Sequence, residues 1–372
     1  LRRAPWRTAF TTLAIGFVLT ALVAFLGMLD TFMATLDTAE VEAAADTPDR
    51  VVVSLDAMYD ADAPEVLAVT GAGTVRLAQP TARLGAVASS PDDDFAVFVE
   101  FLDLDGGVWH PSITEGTTGT GGIVLSEEAA SDLGLAVGDV VTLRHPVRTG
   151  EASFAIGRSD VVVEGMHPYP IRVFAYMDAS DSGRFGLDGA VNLVHVLPAE
   201  GASVGDVQRE LFGEEAVASA ESVTAATQVV RDQFAVFTGI FQMMAVIVLF
   251  MALLIAFLTA SIGADARARE NATMFAFGVR LRTALRMAVT ESFVMGAAAT
   301  VLGVLGGSIA LVWMVDSLLA STLPEVGMDV VLRTTTIVVV VGLGVVVVAI
   351  APLFTARRLR RMDLPGTLRL ME

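Results

Sequence analysis

Long unbroken apolar runs alternate with polar stretches along this chain, and the lengths of the runs decide what they are. Four of them, at about 9–33, 234–262, 288–314 and 334–354, contain no basic residue. A bilayer core about 30 Å thick takes roughly 20 apolar residues of helix. Helices in soluble cores rarely stay apolar on every face for so long. The pattern therefore predicts four transmembrane helices. The first run is too long for the apolar region of a cleaved signal peptide, and no small-x-small site follows it.

Between the first two runs the period shortens. Stretches at 50–55, 95–102, 139–143, 160–164 and 171–175 read as strands, separated by turn clusters at 89–94, 105–107 and 116–122. Ser126 is placed to cap a short helix ending at Leu133, with Glu127 and Glu128 in its first turn. A second helix is expected over 203–212. This mixture predicts a compact α+β domain or two small lobes. The spacing of Val223, Ala226, Val230, Phe234, Phe237 and Phe241 is helical and runs straight into the second apolar run. A helix over 222–262 is about 60 Å long, so its first half is expected to stand above the bilayer as a stalk.

Charge then sets an orientation. The net charge of −18 is unevenly spread. Residues 1–7 hold three arginines and no acid, while 263–287 and 356–372 each hold five arginines against two acids. Residues 34–230 hold 9 arginines against 32 acids, and 319–333 one against two. Arginine-rich flanks stay in the cytosol. Both termini and the 263–287 loop are therefore expected inside, and 34–230 and the 319–333 loop outside.

Composition closes several routes. Hydrophobic residues make up 54% of the chain and charged ones 18%, and the mean hydropathy is +0.64, which argues against an ordinary soluble domain. All 24 basic residues are arginine, and cysteine is absent. Without lysine there is no phosphate-loop motif and no Schiff-base or pyridoxal site. Without cysteine there is no thiol nucleophile, thiolate metal site or disulfide. The acidic balance disfavours nucleic acid as a partner. His110, His145, His167 and His195 match no compact metal spacing, and no GxSxG elbow supports a serine triad. The acids 92–94 with Asp103 and Asp105 lack a full calcium loop and read as solvated turns. No catalytic, cofactor or metal residue is assigned.

The membrane runs carry clearer signals. Gly303 and Gly307 form a small-xxx-small face suited to packing against a neighbouring span. Glu291 near the cytosolic entrance of the third span suits a structural latch to Arg267, Arg269 or Arg357 and, equally, a carboxylate that snorkels to the interface. Asp30 and Asp316 fall toward outer ends, and so few ionisable groups do not make an ion-coupled pump. In the 263–287 loop a helical stretch ends at Gly278, a suitable capping glycine. Arg267, Arg269 and Glu270 accompany the bulky apolar Met274, Phe275 and Phe277. An apolar cluster rimmed by charge suits a protein partner or a membrane surface equally.

At these residues the chain resembles the FtsX-like, MacB-type permeases of ABC transporters over nearly its whole length. Leu1-Arg-Arg-Ala-Pro-Trp-Arg-Thr8 looks like the family's entry helix, and the run from Gly122 to Asp139 is similar to a stretch of its periplasmic core domain. Arg269-Glu270 with Phe277-Gly278 resembles the coupling segment, departing from it at Asn271, Ala272 and Phe275, where isoleucine, glycine and arginine are usual. Glu291, Gly296 and Gly303 resemble the start of the third span, and Ala356 to Asp363 the tail.

The resemblance implies four spans with a large α+β extracytoplasmic domain inserted between the first two. It implies a cytosolic ATPase subunit docked on Arg267, Arg269, Glu270, Met274, Phe275, Phe277 and Gly278, and a second permease subunit or module. It also implies that ATP is bound by a separate chain, with closure relayed outward to move lipid, lipoprotein, peptide or drug. The expected partition is 1–33 entry and first span, 34–221 core domain, 222–262 stalk and second span, 263–287 coupling loop, 288–354 third and fourth spans, and 355–372 tail. The competing class is a membrane-tethered outer enzyme or receptor. The chain opens on Leu1 rather than methionine, so further amino-terminal sequence is expected.

Overall fold

The computed structural model describes residues 5–44, 47, 49–91, 93–148, 154–266 and 281–345. In chain order these are α1 (Pro5–Ala44), β1 (Val51–Asp60), α2 (Pro64–Thr70), β2 (Val75–Ser89), β3 (Asp94–Leu102), β4 (Glu115–Gly116), β5 (Gly122–Ser126) and α3 (Glu127–Leu133). There follow β6 (Val140–Arg148), β7 (Phe154–His167), β8 (Phe174–Asp178), β9 (Ala190–Pro198), α4 (Val204–Leu211), β10 (Val217–Ser222), α5 (Val223–Ala266), α6 (Leu281–Met314) and α7 (Thr334–Val345). Two compact units emerge. The first comprises Leu1–Met33, Ala235–Thr322 and Asp329–Glu372, and the second Ala34–Phe234 with Leu323–Met328.

In the first unit, α1, α5 and α6 each contain a stretch long and apolar enough to cross a membrane. α7 supplies a shorter apolar helix, and residues 346–354 of the expected fourth span lie outside the described residues. One apolar core draws Ile15, Leu19, Leu22 and Val23 from α1, Ala245 from α5, Ala299 from α6 and Val340 from α7. α5 is continuous over 44 residues, about 66 Å at 1.5 Å per residue.

The second unit is built on ten strands. β1, β2, β9 and β10 pair antiparallel in the order β10-β1-β9-β2. With α2 after β1 and α4 after β9, this is a split-βαβ lobe. Its core is nearly all aliphatic: Val51, Val53, Val66, Val69, Val194, Val196, Val207 and Leu211. β2 does double service. Its first half pairs with β9, and from Ala82 onward it pairs with β3 and then β6. Strands β2-β3-β8-β5-β7-β6 then close on themselves, because β6 pairs with both β7 and β2. The ring is a six-stranded barrel inserted between the second and third strands of the lobe. Alternate residues Val97, Val99 and Phe101 of β3 fill it with Ile123, Leu125, Val141, Leu143, Val161, Val163 and Met177.

Local chemistry explains the short helices. Ser126 Oγ accepts from Ala129 N–H at 3.0 Å, and Gly134 closes α3 at φ +64°. Ser203 and Asp206 form a reciprocal capping box on α4. The strand expected at 171–175 is shifted to 174–178. The backbone at Ile171 and Arg172 pairs instead with the 323–328 segment.

Candidate functional site

The expected docking residues Arg267, Arg269, Glu270, Met274, Phe275, Phe277 and Gly278 lie outside the described residues, as does the tail from Ala356 to Asp363. Glu291 falls within α6, and its side chain is likewise outside the described ones. Gly303 and Gly307 are buried on α6 against α1. A Cβ on Gly303 would stand 2.5 Å from Leu19 Cβ, and one on Gly307 2.4 Å from Val23 Cβ. Gly306 faces Thr20 in the same row, and Gly16 of α1 faces Ala299 and Leu302 in return. Backbones approach this closely only where side chains are left out. Asp30 Oδ2 accepts from Arg333 N–H at 3.0 Å, and Thr31 Oγ1 from Val331 N–H at 3.1 Å.

Within the second unit the charged chemistry gathers where α1 ends and α5 begins. Arg50 precedes β1. Its Nη2 donates to Ala43 O at 2.8 Å, near the negative end of the α1 dipole, and its own carbonyl accepts from Val223 N–H, the first residue of α5. Its guanidinium lies 4.2 Å from the centroid of Trp109, which stacks on His195 at 5.9 Å. His195 Nε2 meets Glu100 Oε1 at 2.6 Å, and Thr81 Oγ1 donates to the same oxygen at 2.9 Å. Arg83 Nη2 donates to the other oxygen at 2.7 Å. Glu42 of α1, also buried, accepts from Ser112 N–H at 2.7 Å. Farther along the helices, Arg231 of α5 pairs with Asp37 and Glu40 of α1.

Burial alone would raise the Glu100 carboxyl; His195 and then Arg83 overcome it and hold the group well below the usual carboxylate range. Burial lowers His195 against the opposing pull of Glu100, and it lowers Arg50 to about 10. His167, fully buried with Nε2 3.1 Å from Phe174 O, is lowered by burial to about 4. Arg50 Nε and Nη1, Gln79 Nε2, Trp109 Nε1 and His195 Nδ1 are buried with no hydrogen-bond partner among the described residues. The cluster is therefore rich in donors. Among the described residues no group of His, Asp and Glu is arranged to hold a metal. What it does is fasten two helix ends to one strand network.

Comparison with known proteins bears on the helical unit. Residues 242–364 match the FtsX-like permease C-terminal model. Among solved structures, the chain is similar to the extracellular domain of the ABC-type transporter YknZ from Gram-positive bacteria. That likeness has 14% identity and a TM-score of 0.33, and covers 46% of this chain and 99% of that one. It is also similar to the periplasmic region of MacB from Actinobacillus actinomycetemcomitans, with 9% identity, a TM-score of 0.33, and coverage of 49% and 92%. Comparison with curated proteins finds no match. The matched segment begins in α5, takes in the arginine-rich loop, α6 and α7 and ends in the arginine-rich tail, so this third of the chain is similar to the C-terminal part of FtsX-like permeases.

Proposed function

We propose that this permease relays ATP-driven closure of cytosolic ATPase subunits to its second unit, in order to export or extract a lipid, lipoprotein, peptide or drug. The observation that carries the reading is the permease match over 242–364. In the proposed arrangement both termini and the 263–287 loop are cytosolic and 34–230 is extracytoplasmic, in keeping with the arginine asymmetry. A second permease subunit or module completes the assembly. In this reading ATP is bound by a separate subunit, and the 372 residues themselves hold no lysine for a phosphate loop. Helices α1 and α5 each carry residues of both units, which gives a relay two continuous levers.

The ATPase contact falls on Met274, Phe275 and Phe277, with Arg267, Arg269 and Glu270 as its polar rim and Gly278 closing the segment. Three bulky groups within four residues cannot share one helix face. Replacing Met274, Phe275 and Phe277 together with serine is expected to weaken ATPase-subunit binding at least about tenfold, a loss of about 1.4 kcal/mol. A pull-down titration in detergent measures it. Equal affinities would sink the docking claim, and a wild-type chain that binds no ATPase subunit would sink the reading as a whole.

A further inference from the structure

The six residues Leu323–Met328 lie in sequence between α6 and α7, yet by their contacts they belong to the strand-built unit. Ile171 and Val326 form an isolated antiparallel bridge. Beside it Arg172 N–H donates to Glu325 O at 3.0 Å, and Gly327 N–H donates to Pro170 O at 2.7 Å. Gly327 sits so close that a Cβ would lie 2.6 Å from Glu128 Oε2 and 2.9 Å from Glu128 Cβ. The Arg172 side chain, only 12% exposed, ties the contact together. Its Nη1 bonds Asp132 of α3, its Nε lies 3.4 Å from Glu325 Oε2, and its guanidinium covers the Phe95 ring at 4.5 Å.

Electrostatics makes this contact costly without the arginine. The 323–328 segment carries one acid and no base, and it lies within a unit that holds 9 arginines against 32 acids over 34–230. Asp132 and Glu325 would face one another across the contact as like charges. A planar guanidinium with several donors can serve both carboxylates while its face rests on an aromatic ring, which a lysine could not do.

We propose that Arg172 is a positioning residue that keeps the 323–328 segment docked throughout the transport cycle. The segment between α6 and α7 is then a third tether on the outer unit, beside α1 and α5. This rests on the relay reading above. The tether is fixed: it transmits without letting go.

The natural absence of cysteine makes the test clean. In the full chain, Ile171→Cys with Val326→Cys is expected to close a disulfide on mild oxidation, because bridged antiparallel partners stand at cross-linking distance. Arg172→Ala is expected to speed hydrogen exchange at Gly327 at least tenfold, with Arg172→Lys in between. In the complex with its ATPase subunit, Arg172→Ala should lower ATP turnover several-fold, and closing the 171–326 disulfide in that background should restore it. A role confined to the fold of the outer unit would speed exchange across β8 and α3 as much as at Gly327. The same disulfide in the otherwise unchanged chain should leave turnover intact. Loss of turnover on oxidation, regained on reduction, would show that the segment must undock and would overturn the proposal, as would unchanged exchange at Gly327 in Arg172→Ala. Should no ATPase subunit bind, the relay reading fails, while cross-linking and exchange still decide whether the segment is docked.

Discussion

Where α6 meets α1 the contact is made by omission: Gly303 and Gly307 leave room for Leu19 and Val23. Where β3 meets β9 it is made by a carboxylate, with Glu100 buried against His195 and Arg83. The solvent against which each unit assembles accounts for the contrast. Between helices in lipid there is no water to expel, so association depends on close packing, and a glycine row provides it. In the strand-built unit the hydrophobic effect closes two aliphatic cores, and that gain lets a desolvated ion network be carried between them. Glycines are thus the sensitive positions in one unit, and charges in the other.

The sharpest way to break this contrast is to remove the carboxylate. Glu100→Ala leaves Arg83 and the buried Arg50 without their counter-charge. It is expected to destabilise the full chain by about 3–5 kcal/mol, measured as a shift of the denaturant midpoint in detergent. A loss as small as that of a surface substitution would mean that the network holds nothing.

Acid sharpens the contrast through a neighbouring group. His167 sits at about 4 when folded, against 6.5 for the free side chain. Between those values the unfolded chain binds more protons, so stability falls as pH falls from about 6.5 to about 4, by about 3 kcal/mol in all. Thermal unfolding across that window should show the decline. His167→Gln should flatten it, while the glycine-packed helices contribute no such slope.

The smallest expected effect lies in the helices. Gly307→Val forces a branched side chain onto Val23 and is expected to cost about 1–3 kcal/mol. Gly342→Ala, where a Cβ meets nothing within 4 Å, should cost nothing. If both variants keep the thermal midpoint of the parent in detergent, the glycine row is not what joins α1 to α6.

Which parts of the molecule can be read from the chain follows from how local their causes are. The apolar runs and the Ser126 cap act locally: three helices long and apolar enough to cross a membrane are present among the described residues, and α3 starts directly after Ser126. β2 is a different case. Its sequence carries Pro80, Gly85 and four alanines and has little strand character of its own; it is extended because β9, β3 and β6 all pair with it. Glu100 is harder still. Alternation along β3 sets it opposite Val99 and Phe101, on the face that reads as solvent-exposed. Residues 103–121, however, bring Trp109 across that face, and β9 brings His195. The only local sign of such burial was the unbroken apolar run around a single acid, Phe98-Val-Glu-Phe-Leu102. Arg50 is harder again: apart from the Ala43 carbonyl that it bonds, what surrounds it, Trp109 and Glu100, comes from far along the chain.

The register of β1 against β10 has a further consequence. Val51 and Ser222 are direct cross-strand partners, so the 51–222 stretch begins and ends within about 5 Å. Deleting everything between them would leave α1 and α5 joined by a short turn, as an ordinary helical hairpin. In topological terms, about 170 residues of lobe and barrel are inserted at one bend of a hairpin, and a different folded insert with equally close ends could be exchanged for them without rerouting α1 or α5, with only the contact to 323–328 given up.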